Sequence, residues 1–180
     1  MRELKDTEAT AMFEKLAKFI GEASKILLDR KDADFVFRVI KNRVYYLPKS
    51  LENYCHPAAA DNLCGAGVFI GKLTHHGRFH LSIPALPLLE QFAPHRVHLT
   101  KNATMGFLYG NDVNRAQIGK ITDQIPDQAG VLVCDTDGFG IGFGVSTKSG
   151  IDAMRSEYGV KIVIRQGDVG EYLRSQEGMF

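Results

Sequence analysis

The glycine run GFGIGFG, Gly138 to Gly144, is a pattern with a chemical precedent, because glycine-rich loops bind the phosphates of nucleotides. The dinucleotide pattern G-x-G-x-x-G would need its third glycine at position 143, which is Phe143. The run also continues into VSTKSG without opening a helix, and the chain contains no lysine loop of the Walker type. We therefore interpret the run as a β-strand whose alternate glycines let another backbone approach closely.

A group of cysteines and histidines could bind zinc, and its members lie within 26 positions: Cys55, His56, Cys64, His75, His76 and His80. Structural zinc sites usually contain a Cys-x₂₋₄-Cys pair, whereas these two cysteines are nine positions apart. We expect buried thiols and surface histidines instead. Neither a metal nor a cofactor is predicted.

Asp135 and Asp137 could form a general acid–base pair. They follow the apolar run GVLVC and precede Gly138, and Asp-x-Asp-Gly is common turn chemistry between strands. The chain shows no strained nucleophile motif and no recognisable Cys–His pairing. The sequence thus predicts a turn at this place and a protein that is not an enzyme.

The segment KIVIRQGDVGEYLR combines basic and aromatic residues. Lys161 and Arg165 are four apart on a predicted strand and should share a face, while Tyr172 and Arg174 follow on a short helix. Cations contact phosphates and a tyrosine ring can stack on an unpaired base, which is the chemistry of RNA binding. A solvated sheet edge with a core tyrosine is the competing interpretation.

The stretch FLYGNDVNRAQIGKIT could be a phosphate loop, a plain turn or an RNA-facing corner. It lacks the lysine–serine ending of a P-loop. We predict a short helix that ends at Gly110, a turn through Asn111 and Asp112, and a strand from Ile118.

The elements before Pro94 are predicted to form an antiparallel sheet with one buried face. Thr7 is the predicted cap of a helix that ends near Gly21, after which SKILLD should begin a strand. Two hairpins follow, FVFRVI with RVYYLP and VFIGKLT with RFHLSI. A helical stretch opens at Pro48, and ALPLLEQFA forms a short helix.

After Pro94, short strands alternate with brief helices. The predicted strands are RVHLT, IGKIT, GVLVCDT, GIGFGV and VKIVIR, and the helices cover 102–109, 149–156 and 168–175. Such spacing favours a small closed or nearly closed β-barrel. The predicted fold class is α+β: an N-terminal antiparallel-sheet α/β domain over 1–93, followed by a small mixed β-barrel domain over 94–180.

The composition is that of a globular protein: 180 residues, 44% apolar and 24% charged. Neither a signal peptide nor an apolar run of roughly 20 residues occurs, so we expect an intracellular, soluble chain with no membrane attachment. The net charge is +1; residues 1–93 have 13 basic and 11 acidic side chains, and residues 94–180 have 9 and 10. Any nucleic-acid binding must come from a local patch.

Several motifs in order resemble a known family. FLYGNDV, IGKIT, GFGV and GDVGEYLR resemble a PUA domain, the module named for pseudouridine synthases and archaeosine transglycosylases. MFEKLAKFIGE, RVYYL and RFHLSIPALPLL extend the likeness nearly end to end, and the chain resembles the Nip family of small, PUA-containing ribosome-biogenesis factors. The resemblance implies an α/β domain followed by a PUA domain.

The resemblance also implies a function. It implies a non-enzymatic assembly factor for the large (60S) ribosomal subunit that binds pre-rRNA, prefers uridine-rich single strands, and takes part in pre-rRNA processing. Other pre-60S factors would be its partners, the nucleus and nucleolus its location, and we expect a monomer.

PUA domains bind RNA with the short helix and loop after the first barrel strand, together with the last strand and its extension. Carried over to this sequence, that surface comprises Gly110, Asn111, Asp112, Arg115, Lys120, Lys161, Arg165, Gln166, Tyr172 and Arg174. The glycine would let RNA approach the protein backbone closely, and the basic side chains would contact phosphates. Because residues 94–180 have 10 acidic against 9 basic side chains, we expect weak binding that partner proteins complete.

Other readings stay open. An RNA-modifying enzyme would use its PUA domain to present RNA, but residues 1–93 contain no recognisable cofactor loop or catalytic aspartate. The near-neutral charge of residues 94–180 would also fit a pre-ribosome adaptor that binds only proteins. The segment CGAGVFIGKLTHHGRFH, with Lys72 and Arg78, is a further candidate surface for partners.

Overall fold

The structure is a computed structural model that describes residues 1–27, 34–55 and 63–174. Its described residues divide into two compact units, Met1–Ala17 with Gly21–Ala85, and Lys18–Ile20 with the residues from Leu86 to Arg174. The first unit contains a four-stranded sheet and the second a six-stranded sheet, which confirms the predicted α+β class. The domain boundary after residue 93 stays a prediction. Within the described residues, no helix is long and apolar enough to cross a bilayer.

The helices and strands alternate along the chain. The helices are α1 (Asp6–Ile20), α2 (Lys49–Glu52), α3 (Leu86–Phe92), α4 (Lys101–Leu108), α5 (Gly150–Arg155) and α6 (Glu171–Arg174). The strands are β1 (Phe35–Ile40), β2 (Arg43–Pro48), β3 (Val68–Leu73), β4 (Phe79–Leu81), β5 (Arg96–Leu99), β6 (Val113–Asn114), β7 (Ile118–Ile121), β8 (Gly130–Cys134), β9 (Gly140–Ser146) and β10 (Lys161–Asp168).

Helix α1 begins one residue before its predicted cap, Thr7. Lys5 precedes the helix, and its backbone N–H donates to the Glu8 carboxylate at 2.9 Å. Arg2 also donates to Glu8, and these bonds lower the pKa of Glu8 to about 2. The prediction of Thr7 as the cap is therefore wrong, because the acidic side chain of Glu8 satisfies the first free N–H instead.

The end of α1 lies where it was predicted, since Gly21 adopts a φ of 56°. The strand predicted to begin at Ser24 is wrong for the residues described there. Gly21–Lys25 form a 3-10 turn, in which the Ser24 hydroxyl donates to the Gly21 carbonyl at 2.9 Å. This local bond competes with an extended backbone. Ile26 and Leu27 continue this turn, and the last two residues of SKILLD, Leu28 and Asp29, lie outside the described residues.

In the first unit, β1 to β4 pair in chain order, all antiparallel. Both predicted hairpins are confirmed, with a two-residue turn at Lys41 and Asn42 and with Gly77 at φ 72° in the second. The helical stretch after Pro48 is short: α2 covers four residues. Residues 56–62 of that stretch lie outside the described chain.

One face of this sheet was predicted to be exposed, and along β2 that prediction is wrong. Four consecutive residues, 44 to 47, are buried. Phe13 of α1 contacts Phe37 edge-on at 5.6 Å between ring centroids, so that α1 packs on the sheet at Phe37. Tyr45 belongs instead to a second buried cluster, formed with Leu47 and Phe69. Apolar side chains on both faces of β2 are therefore packed against other apolar side chains.

The second unit has the strand order β6-β10-β9-β8-β5-β7. The two end strands of this order are consecutive in the chain and are joined by only three residues, Arg115–Gln117. The sheet therefore curls into a nearly closed barrel. Strands β5 and β8 are parallel and the other pairs antiparallel, as a mixed barrel requires.

From Gly140 onward the glycine run is a barrel strand, β9, as predicted, whereas the prediction that Gly138 lies on this strand is wrong, because Gly138 belongs to the preceding turn. A Cβ on Gly142 would lie 2.4 Å from the Gly167 carbonyl oxygen, and one on Gly144 would lie 2.5 Å from that of Ile164. Only glycine permits β10 to pair so closely here.

The predicted Asp-x-Asp-Gly turn between β8 and β9 is also confirmed. The Asp135 carboxylate accepts from the backbone N–H of Asp137 at 3.0 Å and from that of Phe139 at 2.9 Å, and Gly138 has a φ of 94°. Asp135 thus satisfies backbone donors of the turn.

Candidate RNA-binding site

The C-terminal end of α4 is the centre of the predicted RNA surface. Gly110 adopts a φ of 96°, which favours glycine. Its N–H donates to the Phe107 carbonyl at 2.9 Å, and the Asn111 N–H donates to the Gly106 carbonyl at 3.3 Å. This pair of bonds is the Schellman ending of a helix. The predicted helix end and turn are therefore confirmed.

Two arginines bind carbonyl groups that this helix end leaves free. Arg165 Nε donates to the Gly110 oxygen at 3.0 Å, and Arg174 Nη1 donates to the Leu108 oxygen. Each guanidinium places positive charge at the negative end of the helix dipole, where cations stabilise a helix. Both arginines therefore cap α4 from the far end of the chain.

Asp168 joins these two arginines. Its side chain is fully buried and accepts from Arg165 Nη1 at 2.7 Å and from Arg174 Nη2 at 2.8 Å. Arg165 also donates to Glu171 on α6 at 2.7 Å. Two cations thus face two carboxylates, and the desolvation of Asp168 is offset by paired, hydrogen-bonded guanidinium groups.

Asp112 ties the loop after α4 to strand β10. Its carboxylate accepts from Lys161 Nζ at 2.9 Å and from the backbone N–H of Arg165 at 3.0 Å. The hydrogen bond from Lys161, together with that from Arg165, lowers the pKa of Asp112 below its usual value. The loop is thereby held against the strand by an ionised carboxylate.

A groove of about 390 Å³ opens beside this ion-pair network, and its lining residues are Gly110, Asn111, Asp112, Asn114, Gln117 and Lys161. The Asn114 N–H donates to Gln117 Oε1 at 2.8 Å, which orients that amide. The Lys161 side chain is 65% exposed. We call this site the Gly110 groove. It offers amide groups and an ammonium group, which hydrogen-bond base edges, ribose hydroxyls and phosphates.

The structure brings together only part of the predicted set. Gly110, Asn111, Asp112 and Lys161 line the groove, whereas Arg165 and Arg174 are engaged in the ion-pair network behind it. Strand β10 has a register shift between Lys161 and Val163 where it pairs with β6. The two-residue period that placed these side chains on one face is therefore interrupted, which corrects that inference.

The remaining predicted residues lie elsewhere on the second unit. Arg115 Nε donates to the Met154 carbonyl at 3.1 Å, and its guanidinium lies 5.8 Å from the centre of the Tyr158 ring. Lys120 is exposed on β7, where it lies opposite His98 of β5 and does not line the groove. Gln166 on β10 and Tyr172 on α6 are also exposed. The RNA-binding role of the whole set stays a prediction.

Sequence reasoning missed four groove or network residues. Asn114 and Gln117 line the groove, Asp168 joins the arginines, and Glu171 accepts from Arg165. The spacing Asn-x-x-Gln, which is typical of a capping box, was a usable signal for the first two. For Asp168 no local signal exists, because its partners are set by the pairing of loop, strand and helix.

The zinc group has no counterpart in the described structure. Among residues 1–27, 34–55 and 63–174, no three His, Cys, Asp or Glu side chains are grouped as metal ligands. His56 lies outside those ranges.

Comparison with known proteins bears on both halves of the chain. A family model described as "NIP7/UPF0113, pre-PUA domain" matches residues 1–83, and one described as "UPF0113 PUA domain" matches residues 95–177. The Saccharomyces cerevisiae protein named "60S ribosome subunit biogenesis protein NIP7" is 39% identical over 180 residues, covering 100% of this chain and 99% of the relative. The chain belongs to the NIP7 family. The resemblance inferred from its motifs is confirmed.

Other NIP7 relatives and solved structures agree with this assignment. The Xenopus tropicalis NIP7 homolog is 38% identical over 177 residues, covering 98% of both chains. A hypothetical protein of Pyrococcus horikoshii has a TM-score of 0.58 at 17% identity, with 92% of both chains covered. A PUA domain protein of Thermoplasma acidophilum has a TM-score of 0.55 at 14% identity, with 96% and 95% covered. These two structures support the fold alone.

Proposed function

We propose that this NIP7-family chain is a non-enzymatic assembly factor for the large ribosomal subunit that binds pre-rRNA and acts in its processing. The observation that supports this proposal is full-length similarity: relatives at 38% and 39% identity across the chain are named 60S ribosome subunit biogenesis proteins. On the same ground we propose that it works as a monomer in the nucleolus and nucleus, with other pre-60S factors as partners.

Within this proposal, RNA binds in the Gly110 groove. Lys161 contacts a phosphate, and the amides of Asn111 and Gln117 hydrogen-bond an unpaired base or its ribose. Uridine-rich single strands are the proposed ligand. Arg165 and Arg174 act indirectly, because their bonds to the end of α4 hold the groove in shape.

Fluorescence anisotropy with a uridine-rich single strand tests the groove. The variant Asn111→Ala/Lys161→Ala should bind about tenfold more weakly, since the lost contacts are worth roughly 1.4 kcal/mol together. Lys101→Ala/Asn102→Ala is the matched control, because it removes the same side-chain types from exposed positions at the other end of α4. An equal loss of RNA affinity in both variants, or no loss in the groove variant, would show that RNA binds outside the Gly110 groove.

The absence of catalysis is part of the proposal and has its own test. The carboxylates around the groove already bind other groups of the protein. Both oxygens of Asp112 accept hydrogen bonds, and Asp168 is paired with two arginines. Mass spectrometry of nucleosides after incubation with rRNA should find no new modified nucleoside, and its appearance would favour the RNA-modifying alternative. Binding to pre-60S proteins without binding to any RNA would favour the adaptor alternative.

A further inference from the structure

Helix α4 has a glycine in its interior, Gly106, at a position where packing does not require one. Glycine is less stable than alanine inside a helix, because it loses more backbone freedom on folding. Among the described residues, a Cβ added here would meet only Gln117 Nε2 at 3.8 Å and Asn111 Nδ2 at 3.9 Å, besides the backbone of α4 itself. Both are ordinary van der Waals distances, so alanine would fit. The helix therefore gives up stability at Gly106 without a gain in packing.

The space left by Gly106 lies on the α4 side of the Gly110 groove, because the two amide groups near it line that groove. Gln117 Oε1 accepts from the Asn114 N–H at 2.8 Å, and this bond fixes which end of the amide is the NH₂ group. The Gln117 NH₂ group is the atom nearest to the space, and Asn111 Nδ2 is the next. An NH₂ group donates hydrogen bonds to carbonyl oxygens and does not accept them from amino groups.

An exposed aromatic residue, Tyr109, lies beside this space. It comes three positions after Gly106, so the two residues share a side of α4, and it directly precedes Gly110. Tyr109 is 71% exposed. Its backbone N–H donates to the Met105 carbonyl at 3.0 Å, which holds the backbone that carries the ring. A tyrosine ring on a fixed backbone can stack on an unpaired base at little cost in order.

We propose that Gly106, Tyr109 and the amides of Asn111 and Gln117 form a pocket for one uracil base of single-stranded RNA. The base stacks on Tyr109, its edge lies over Gly106, and a carbonyl oxygen accepts from the Gln117 NH₂ group. Uracil has carbonyl oxygens at this edge, whereas adenine has an amino group in the corresponding place. This inference rests on the proposed function, since it assigns the base that the Gly110 groove recognises. It also gives a physical reason for a preference for uridine.

The stacking contact is tested by fluorescence anisotropy of the full chain with a uridine-rich single strand. Tyr109→Leu should weaken binding by about fivefold or more, because stacking on an aromatic ring is lost. Tyr109→Phe keeps the ring and should recover most of that affinity. Phe139→Leu is the matched control: Phe139 is 69% exposed in the turn between β8 and β9 and does not line the groove. The control should bind RNA as the wild type does.

Gly106→Ala tests the space itself through two measurements that should move in opposite directions. The midpoint of thermal unfolding should rise, because alanine favours a helix and fits without a clash. RNA affinity should fall by about tenfold, since the added methyl group occupies the place of the base edge. Gly159→Ala is the control, because nothing lies within 4 Å of its added Cβ. It should leave RNA affinity unchanged.

The identity of the base is tested with Gln117→Glu, which keeps an oxygen for the Asn114 N–H and replaces the NH₂ donor with an acceptor. The added negative charge weakens binding to every RNA, so the measurement is the ratio of affinities for uridine-rich and adenosine-rich strands. That ratio should fall by about fivefold, because the carboxylate accepts from an amino group and not from a carbonyl. Gln124→Glu, with the same charge change at an exposed position outside the groove, should leave the ratio unchanged.

The outcomes separate this inference from the function on which it rests. Wild-type RNA affinity in both Tyr109→Leu and Gly106→Ala overturns the pocket and leaves the proposed function standing. An unchanged ratio in Gln117→Glu overturns the assignment to uracil. Failure of the wild-type chain to bind any RNA overturns both the pocket and the proposed function. Loss of a pre-60S protein in Tyr109→Leu, with RNA affinity unchanged, would assign the ring to a protein contact instead. If Tyr109→Leu loses its folded circular dichroism spectrum, Gly106→Ala decides alone.

Discussion

One guanidinium nitrogen of Arg174 donates to both carboxylate oxygens of Asp168, at 3.1 Å and 2.8 Å. These bonds join α6 to the end of β10, while Nη1 of Arg174 donates to the Leu108 carbonyl in the last turn of α4. An arginine whose sequence context suggested RNA contact is therefore part of the fold. Replacing Arg174 would therefore act on RNA binding through the shape of the Gly110 groove and not through a lost phosphate contact.

Asp168→Asn should lower the free energy of unfolding by about 3 kcal/mol, because it keeps the side-chain shape but leaves Arg165 and Arg174 without their buried counter-charge. We expect the low end of the range for buried pairs, since those arginine side chains are 26% and 33% exposed and can hydrate. Urea denaturation measures the loss. Asp137→Asn, in an exposed turn, should change stability by less than about 0.5 kcal/mol. A loss below about 1 kcal/mol for Asp168→Asn would show that the network is not structural.

Gly170→Ala should destabilise the protein by about 1 to 3 kcal/mol through overpacking. The added Cβ would lie 2.1 Å from the Leu108 carbonyl oxygen and 2.5 Å from Arg174 Nη1, so that α6 would have to move away from α4. Gly159→Ala is the matched control, since nothing lies within 4 Å of its added Cβ and its backbone is not in the left-handed region. The control should be neutral or more stable by up to about 1 kcal/mol. Thermal unfolding followed by circular dichroism compares the two, and equal midpoints would contradict the packing argument.

Secondary structure was predicted best where the signal in the sequence is local. The turn through Asp135 and Gly138 combines residues that favour turns, and the strands on either side have the apolar pattern of a sheet, so both were found. Strand β6 was missed because two residues, Val113 and Asn114, are too few to show a period. The burial of β2 on both faces was missed because it depends on the covering elements and not on the strand.

The ion-pair network could not be predicted because its members are brought together only by the fold. Asp112 and Lys161 are 49 positions apart, and Arg174 and Leu108 are 66 apart. Charged residues are mostly exposed, so a pattern of basic residues is ordinarily read as surface. The same reasoning identified Lys161 correctly as exposed and misjudged Arg165, since only the position of Asp168 distinguishes the two environments.

The Asp112 carboxylate should make stability depend on pH in a defined direction. Its pKa is lowered in the folded protein, chiefly by the hydrogen bond from Lys161, relative to about 3.9 in an unfolded chain. The folded state therefore binds this proton less tightly, so the stabilisation is complete above about pH 4 and is lost as the pH falls through the lowered pKa. The difference in unfolding free energy between wild type and Asp112→Asn should be largest near neutral pH and should shrink below about pH 4. Urea denaturation across this range measures it, and the lowered pKa of Glu8 cancels because Glu8 is present in both proteins. If the difference in unfolding free energy stayed constant down to the lowest pH measured, ionised Asp112 would not stabilise the loop.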